Sequence, residues 1–181
     1  MTGRYPISLG IQHDVFGPHT KDCLTTSQHL LPEIVKSNGY ATHMVGKWHL
    51  GYARWDCMPC RRGFDSFMGY TQGSIEYVSH LVSDYPDFMG CSDSPDEGLK
   101  FKTLEKLGGI YSMDVFEERA KNVIEEHNAD VPLFLYLAIQ APHSPYYAPL
   151  RYMDSRECIG DRLVVQERWS NFKMTFLAHF Q

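Results

Sequence analysis

The fold is decided by residues 39–51, which read GYATHMVGKWHLG. Residues 40–45 contain threonine and valine and lead into a glycine, a pattern that predicts a buried strand whose last residues reach a loop. Before them, apolar residues recur at helical spacing over residues 30–37 and an Asn-Gly pair follows, which predicts a short helix. His49 is therefore expected just past the carboxyl end of a strand.

A second strand and a longer helix are predicted downstream. Residues 133–139 read LFLYLAI and are apolar on both faces, as in a parallel strand that helices cover. In residues 113–127, apolar side chains form a helical stripe and acidic residues enrich the first turn. This alternation of strand and helix favours an α/β fold. The intervening residues 51–109 are rich in Gly, Pro, Asp and Ser, which predicts a long irregular connection.

Three side chains end or follow the two predicted strands. Lys47 and His49 come after the first strand, and His143 follows the second. We expect the two strands to run parallel in one sheet, and such sheets bind ligands at the carboxyl ends of their strands. The sequence therefore predicts that Lys47, His49 and His143 converge on one cleft.

Length and composition exclude several classes of protein. The 181 residues are 43% hydrophobic, enough for a packed core in one compact domain or in a piece of a larger one. The net charge of -5 and the lack of a dense basic stretch exclude nucleic acid as the partner. The longest strongly apolar run has seven residues, whereas a membrane-spanning helix needs about 20. No transmembrane segment is expected, and residues 1–6 do not resemble a secretory signal.

The stretch at residues 39–51 closely resembles the second signature of the sulfatase family. Residues 57–70, with their CMP, RRGFD and GY segments, and residues 133–145 are similar to the arylsulfatase B subgroup. Residues 1–6 resemble the end of the first family signature. The resemblance implies a partial catalytic domain over residues 1–152, with an alkaline-phosphatase-like α/β fold in which helices sandwich a mostly parallel sheet.

Residues 153–181 depart from the family pattern. Apolar residues recur there at helical spacing: Val165, Trp169, Phe172, Phe176 and Phe180. This stripe predicts an amphipathic helical tail, either packed on the sheet or forming an unrelated terminus.

The resemblance implies a sulfuric ester hydrolase of the arylsulfatase type. Such enzymes hydrolyse sulfate esters, including those of sulfated sugars, with a formylglycine nucleophile and a bound Ca²⁺ ion. The cysteine precursor of formylglycine and the Asp and Asn ligands of Ca²⁺ have no counterpart in the 181 residues. We therefore expect no metal-ligand set and no turnover from this chain alone. The alternative is a catalytically inactive sulfatase-like fragment that binds anions or a partner chain.

The resemblance carries over three site residues. Lys47 resembles the lysine that contacts the aldehyde hydrate and the sulfate, where an ammonium offsets charge on the sulfate oxygens. His49 resembles the histidine that removes a proton from the hydrate and releases sulfate. His143 resembles the histidine that binds sulfate and helps to protonate the departing alcohol. Trp48 is expected to point away from the other two and to pack in the core.

The cysteines are Cys23, Cys57, Cys60, Cys91 and Cys158, an odd number that leaves at least one thiol unpaired. The spacing of Cys57 and Cys60 also occurs in thioredoxin-type redox pairs and in zinc sites, but no helical stripe follows it and no second such pair occurs. The resemblance instead implies a disulfide between Cys23 and Cys57 and leaves the other three without an evident partner. It also implies a lysosomal or secreted protein that acts on a sulfated small molecule or glycan.

Overall fold

A computed structural model describes residues 1–94 and 98–152 of the chain. The strands in this part are β1 (Ala41–Lys47), β2 (Ser66–Tyr70), β3 (Leu81–Val82), β4 (Tyr85–Pro86), β5 (Met89–Ser94), β6 (Gly98–Thr103) and β7 (Leu133–Ala138). The α-helices are α1 (Leu31–Ser37) and α2 (Ser112–Glu125). Short 3₁₀ turns cover Pro6–Leu9, Trp55–Cys57, Pro59–Arg61, Glu105–Leu107 and Leu150–Tyr152.

The chain divides after Ile139 into two compact units. All the strands and α-helices named above belong to the first unit. Of the second unit, the structure describes residues 140–152.

Five of the described strands form one mixed sheet in the order β6-β5-β2-β1-β7. β1 pairs in parallel with both β2 and β7, so that Met44 lies opposite Phe67 on one side and Tyr136 on the other. β5 is antiparallel to β2 and β6, and β3 and β4 form a separate antiparallel pair. The parallel strands predicted at residues 40–45 and 133–139 are confirmed, with β1 extending through Lys47.

Small residues let the parallel strands approach each other closely at their carboxyl ends. Gly46 of β1 lies opposite Gly69 of β2 and Ala138 of β7. A Cβ atom on Gly46 would overlap the carbonyl oxygen of Ala138, and one on Gly69 would overlap the carbonyl oxygen of Gly46. Gly46 also has a φ of 105°, a conformation that residues with a side chain rarely adopt. Position 46, directly before Lys47, therefore requires glycine.

The two α-helices cover opposite faces of the sheet, as the α/β fold predicts. α1 lies on the face that carries Asp93 of β5, because Lys36 Nζ of the helix is 3.5 Å from the Asp93 carboxylate. α2 lies on the face that carries Tyr70 of β2, because Phe116 stacks on the Tyr70 ring with centroids 6.3 Å apart. The register of β2 with β5 and the alternation of side chains place Tyr70 and Asp93 on opposite faces.

Both predicted helices are confirmed with small changes in their bounds. α1 begins at Leu31, since Glu33 Oε2 accepts a hydrogen bond of 2.6 Å from the Leu30 N–H and Pro32 occupies the first turn. α2 buries most of the predicted stripe: Met113, Phe116, Ala120 and Val123. Within residues 1–94 and 98–152, no helix is both long and apolar enough to span a membrane.

The prediction of an irregular connection over residues 51–109 is wrong in part. β2, β5 and β6 of the main sheet lie within it. β5 reads MGCSDS, which lacks the apolar alternation of an ordinary strand. Its pairing with β2 on one side and β6 on the other supplies the hydrogen bonds that its sequence does not predict.

β7 is covered less than its composition indicates. It lies at the edge of the described sheet, and its side chains are only partly buried, with Tyr136 38% exposed. α1 packs on β1, and α2 packs on β1 and β2. For the part of the chain described, the expectation of a strand covered on both faces is therefore wrong.

Two disulfides each join a residue that precedes a central strand to one that follows it, the first across β1 and the second across β2. Cys23 is bonded to Cys57, the pair that the family resemblance implies, with Cα atoms 6.2 Å apart. Cys60 is bonded to Cys91, a pair that the sequence does not predict, also with Cα atoms 6.2 Å apart. Because Cys57 and Cys60 belong to different disulfides, the redox and zinc interpretations of this pair are wrong. Cys158 and the predicted tail helix of residues 153–181 lie outside the described residues.

A buried arginine links the loop before β2 to the residues that precede and begin α1. Arg62 is 2% exposed, and its Nε donates to Glu33 Oε1 at 3.0 Å. Its two terminal nitrogens donate to the carbonyl oxygens of Leu24 at 3.0 Å and Gln28 at 2.8 Å. Removing the guanidinium would therefore deprive a carboxylate and two carbonyl groups of this donor.

We expect Arg62→Leu to lower the free energy of unfolding by about 3 kcal/mol, because it breaks a buried ion pair and leaves polar groups unpaired. The matched control is Arg54→Leu. Arg54 pairs with Asp56 at 3.1 Å but is 58% exposed, so its loss should cost less than about 1 kcal/mol. Urea-induced unfolding followed by circular dichroism measures both, and equal losses would contradict the prediction.

Candidate active site

Lys47 is the last residue of β1 and lies opposite Tyr70 at the end of β2. Its side chain is partly buried, and this burial lowers the pKa of Lys47 below that of an ordinary lysine. The ammonium is therefore less hydrated than one on the open surface and attracts an anion more strongly. Its place at the carboxyl end of the parallel strands is the one predicted.

Trp48 anchors the segment that follows β1. It is 4% exposed and belongs to the core cluster that includes Leu30 and Met44. Its Nε1 donates to the Gly51 carbonyl oxygen at 3.1 Å, and its ring meets Phe64 edge-on with centroids 6.3 Å apart. The structure thus places Trp48 in the core, as expected of a packing residue.

His49 is held in a turned conformation between two backbone segments. Its φ of 52° is left-handed, which costs a residue with a side chain about 1 kcal/mol or more. The His49 N–H donates to the Thr71 carbonyl oxygen at 3.2 Å. The carbonyl oxygen of Phe16 is 3.0 Å from Nε2 of the ring. The ring also lies against Gly73, where a Cβ atom would be 2.9 Å from the His49 Cε1.

The contact with Phe16 determines the tautomer of the His49 ring. A carbonyl oxygen only accepts hydrogen bonds, so the contact requires that Nε2 carries a proton. In the neutral ring Nδ1 is then the basic nitrogen.

The backbone groups that hold His49 are absent from the sequence predictions. The Phe16 and Thr71 carbonyl groups and the missing side chain of Gly73 form no side-chain pattern that would indicate contact with a histidine. The one indication that Thr71 lies near His49 is its position directly after β2, the parallel neighbour of β1.

Residues 16–24 pass along the loop that carries His49. The Leu24 N–H donates to the Leu50 carbonyl oxygen at 2.9 Å, and Tyr52 Oη donates to the Pro18 carbonyl oxygen at 2.5 Å. Gly51 has a φ of 88°, and a Cβ atom there would overlap the backbone of Cys23. The Cys23–Cys57 disulfide therefore closes a region whose backbone segments are already in close contact.

His143 belongs to the second compact unit. Its N–H donates to the Gln140 carbonyl oxygen at 3.0 Å, and its Nδ1 lies 2.6 Å from the Ser144 carbonyl oxygen. Lys47 and His49 belong to the first unit, and the convergence of all three side chains stays a prediction.

The described residues do not fit the Ca²⁺ ion and the formylglycine that the family resemblance implies. Among residues 1–94 and 98–152, no group of three or more His, Cys, Asp and Glu side chains could hold a metal ion. The Cys-x-Pro-Ser-Arg motif does not occur in the sequence. The roles proposed for Lys47, His49 and His143 therefore depend on neither group.

The sulfatase family model matches residues 1–163 of the chain. The chain belongs to the sulfatase family. Arylsulfatase J of Mus musculus is 42% identical to this sulfatase chain over 154 residues. The matched region covers 85% of the chain and 25% of the relative. N-acetylgalactosamine-6-sulfatase of Mus musculus is 30% identical over 164 residues, covering 84% and 31%. The chain thus spans only about a quarter to a third of these curated relatives.

Solved structures share the fold of this sulfatase chain. A crystal structure of Ps i-CgsB in complex with k-i-k-neocarrahexaose has a TM-score of 0.74 at 24% identity, covering 95% of the chain and 41% of that structure. The structure of BT4656 in complex with its substrate D-glucosamine-2-N,6-O-disulfate has a TM-score of 0.53 at 21% identity. The match covers 84% of the chain and 25% of that structure. The described sheet is thus part of the alkaline-phosphatase-like α/β fold of sulfatases.

We expect Gly51→Ala to destabilise the sulfatase chain by about 2 kcal/mol more than Gly39→Ala. Both glycines have a similar φ, 88° and 85°, so the cost of backbone strain is matched. A Cβ atom at Gly51 meets the Cys23 backbone, whereas one at Gly39 meets no atom within 4 Å. Urea-induced unfolding compares the two variants, and similar losses would show that the close approach to Cys23 contributes nothing.

Proposed function

We propose that this chain supplies charge-stabilising and proton-transfer side chains for the hydrolysis of sulfate esters: Lys47, His49 and His143. The observation that carries the proposal is that Lys47 ends β1 and His49 follows two residues later, where β1 lies between two parallel neighbours. Sheets of this kind bind ligands at the carboxyl ends of their strands. Membership of the sulfatase family supports the class of reaction.

The chemistry of a sulfate monoester accounts for these residue types. Hydrolysis breaks the bond between sulfur and the bridging oxygen and, overall, joins sulfur to the oxygen of one water molecule, and negative charge develops on the oxygen atoms around sulfur. In our proposal, the Lys47 ammonium offsets charge on the nonbridging oxygens, and His143 donates a proton to the bridging oxygen, which leaves as an alcohol. His49 is the proposed acceptor of the proton that this water loses, and Nδ1 is its basic nitrogen in the tautomer that the Phe16 contact requires.

A sulfated sugar is the substrate class that we propose. One relative is an N-acetylgalactosamine-6-sulfatase, and a structure with the same fold is bound to a neocarrahexaose. Both ligands are sugars, although each belongs to the protein that is named with it. Together they support a glycan over a small aryl sulfate as the ligand proposed for this chain. The chain covers only 25% and 31% of the length of the two relatives. The activity and the substrate are therefore proposed for the whole protein.

The disulfides support a lysosomal or secreted location. Cys23–Cys57 and Cys60–Cys91 lie in the described part of the chain. Disulfides of this structural kind persist in oxidising compartments and are rare where glutathione keeps thiols reduced. We therefore place the protein, as a proposal, on the secretory route.

We expect sulfate binding by the 181-residue chain to fall at least about tenfold in each of Lys47→Ala and His143→Ala, because each removes one of the groups proposed to hold the anion. The matched control is Lys121→Ala, which removes an exposed lysine of α2 that pairs with Glu117 at 2.7 Å. Isothermal titration with sodium sulfate measures the affinities. Unchanged binding in His143→Ala alongside loss in Lys47→Ala would show that His143 lies outside the site.

Sulfate binding should weaken as the pH rises through the pKa of Lys47. Burial lowers this pKa, so the ammonium loses its proton, and with it the charge that attracts sulfate, at a lower pH than an ordinary lysine does. Below the lowered pKa the Lys47 contribution should be complete. Sulfate titrations across an alkaline pH series measure the midpoint. A decline in Lys47→Ala as steep as that in the unaltered chain would assign the pH dependence to another group.

A further inference from the structure

A buried carboxylate lies beside the residues that follow β2. Asp87 is 8% exposed and occupies the short link between β4 and β5. Its Oδ1 accepts a hydrogen bond of 2.8 Å from Thr71 Oγ1, and its Oδ2 accepts one of 2.8 Å from the Gln72 N–H. The Thr71 N–H lies 3.0 Å from both carboxylate oxygens. Asp87 therefore fixes two consecutive peptide groups and one hydroxyl group.

Burial raises the pKa of Asp87, and the hydrogen bonds from Thr71 and Gln72 oppose that rise. In the described part of the chain Asp87 makes no ion pair, so these donors stabilise its charge in place of a cation. A buried carboxylate favours the conformation in which all of its hydrogen-bond donors are in place. Movement of any donor away from it would leave a carboxylate oxygen without a hydrogen bond, at a cost in free energy.

The two peptide groups held by Asp87 are the same ones that accept hydrogen bonds from the Trp48 and His49 N–H groups. Two hydrogen bonds join the residues after β1 to the end of β2, as the Trp48 N–H donates to the Tyr70 carbonyl oxygen at 2.9 Å and the His49 N–H donates to that of Thr71 at 3.2 Å. Thr71 is thus bonded to Asp87 through its N–H and to His49 through its carbonyl oxygen.

The position of Gly73 extends this connection to the imidazole ring. Gly73 follows the two residues held by Asp87, and a Cβ atom on it would lie 2.9 Å from Cε1 and 3.1 Å from Nε2 of His49. The backbone at Gly73 therefore lies against the ring, whose Nε2 donates to the Phe16 carbonyl oxygen. A shift of residues 71–73 by a few tenths of an ångström would change the contacts of the ring directly.

We propose that Asp87 is a positioning residue for His49: its carboxylate fixes Thr71 and Gln72, and these residues, with Gly73 next in the chain, hold the left-handed turn and the ring of His49. The role of the ring in sulfate chemistry rests on the function proposed above, whereas the positioning itself does not. Asp87 acts through Thr71, Gln72 and Gly73 and has no assigned contact with substrate.

Histidine ring signals of the full chain in solution test this proposal. The Cε1–Hε1 signal of His49 is assigned by its loss in His49→Ala, and its position and titration midpoint are then compared between variants. We expect Asp87→Ala to move the signal and to shift its midpoint by about 0.5 pH unit or more, because the backbone at residues 71–73 is released. We expect Asp87→Asn to retain both values more closely, since its amide oxygen can still accept from the two backbone N–H groups.

Asp65→Ala is the matched control. Asp65 Oδ2 accepts from the Thr42 N–H at 2.8 Å and from Thr42 Oγ1 at 3.0 Å, a similar aspartate–threonine arrangement at the other end of β1. Its loss should destabilise the chain without moving the His49 signal. A folded Asp87→Ala with an unchanged His49 signal and midpoint, or an equal displacement in Asp65→Ala, would overturn the proposal.

If Asp87→Ala does not fold, Thr71→Val decides the question. This substitution keeps the shape of the side chain and removes only the hydroxyl donor to Asp87 Oδ1. We expect a smaller displacement of the His49 signal, and no displacement would overturn the proposal. Sulfate titration separates the two hypotheses: a ring displaced by Asp87→Ala, in a chain whose sulfate affinity is insensitive to Lys47→Ala and His143→Ala, would retain the positioning role and refute the proposed function.

Discussion

Backbone contact between β1 and its two parallel neighbours at Gly46 is the constraint on which the site depends. Gly46 lies between Gly69 and Ala138, and any side chain on it would separate the strands. Lys47 follows directly, and the N–H groups of Trp48 and His49 donate to carbonyl groups at the end of β2. The spacing of the strands therefore determines where the lysine and the histidine lie, and the loop after β1 has little freedom of its own.

Elements with a strong local pattern could be predicted from the sequence, and elements stabilised by their neighbours could not. β7 is a continuous apolar run, β1 contains threonine and valine, and α1 and α2 have apolar residues at helical spacing. β5 consists largely of Gly, Cys, Ser and Asp, and its strand conformation depends on pairing with β2 and β6. Composition also indicated too much coverage for β7, because an apolar run does not reveal which strand lies at an edge.

The same distinction applies to the site. Lys47 and His49 could be placed at a strand end, because their order along the chain follows from a motif and from the local strand pattern of β1. Asp87 could not be connected with them, because its role depends on the approach of the link between β4 and β5 to the end of β2. The pairing of Cys60 with Cys91 was equally hidden, since it depends on β5 lying beside β2.

The arrangement of the two disulfides determines what a protease can separate by cutting the chain once. One closes the loop from Cys23 to Cys57, which contains β1, and the other closes the loop from Cys60 to Cys91, which contains β2. These loops do not overlap, so a single cut within either of them leaves both pieces covalently attached. The strands that carry Lys47 and that support His49 would stay in one molecule after such a cut. In a degradative compartment, a nicked chain would thus keep its covalent integrity for as long as its cystines remained oxidised.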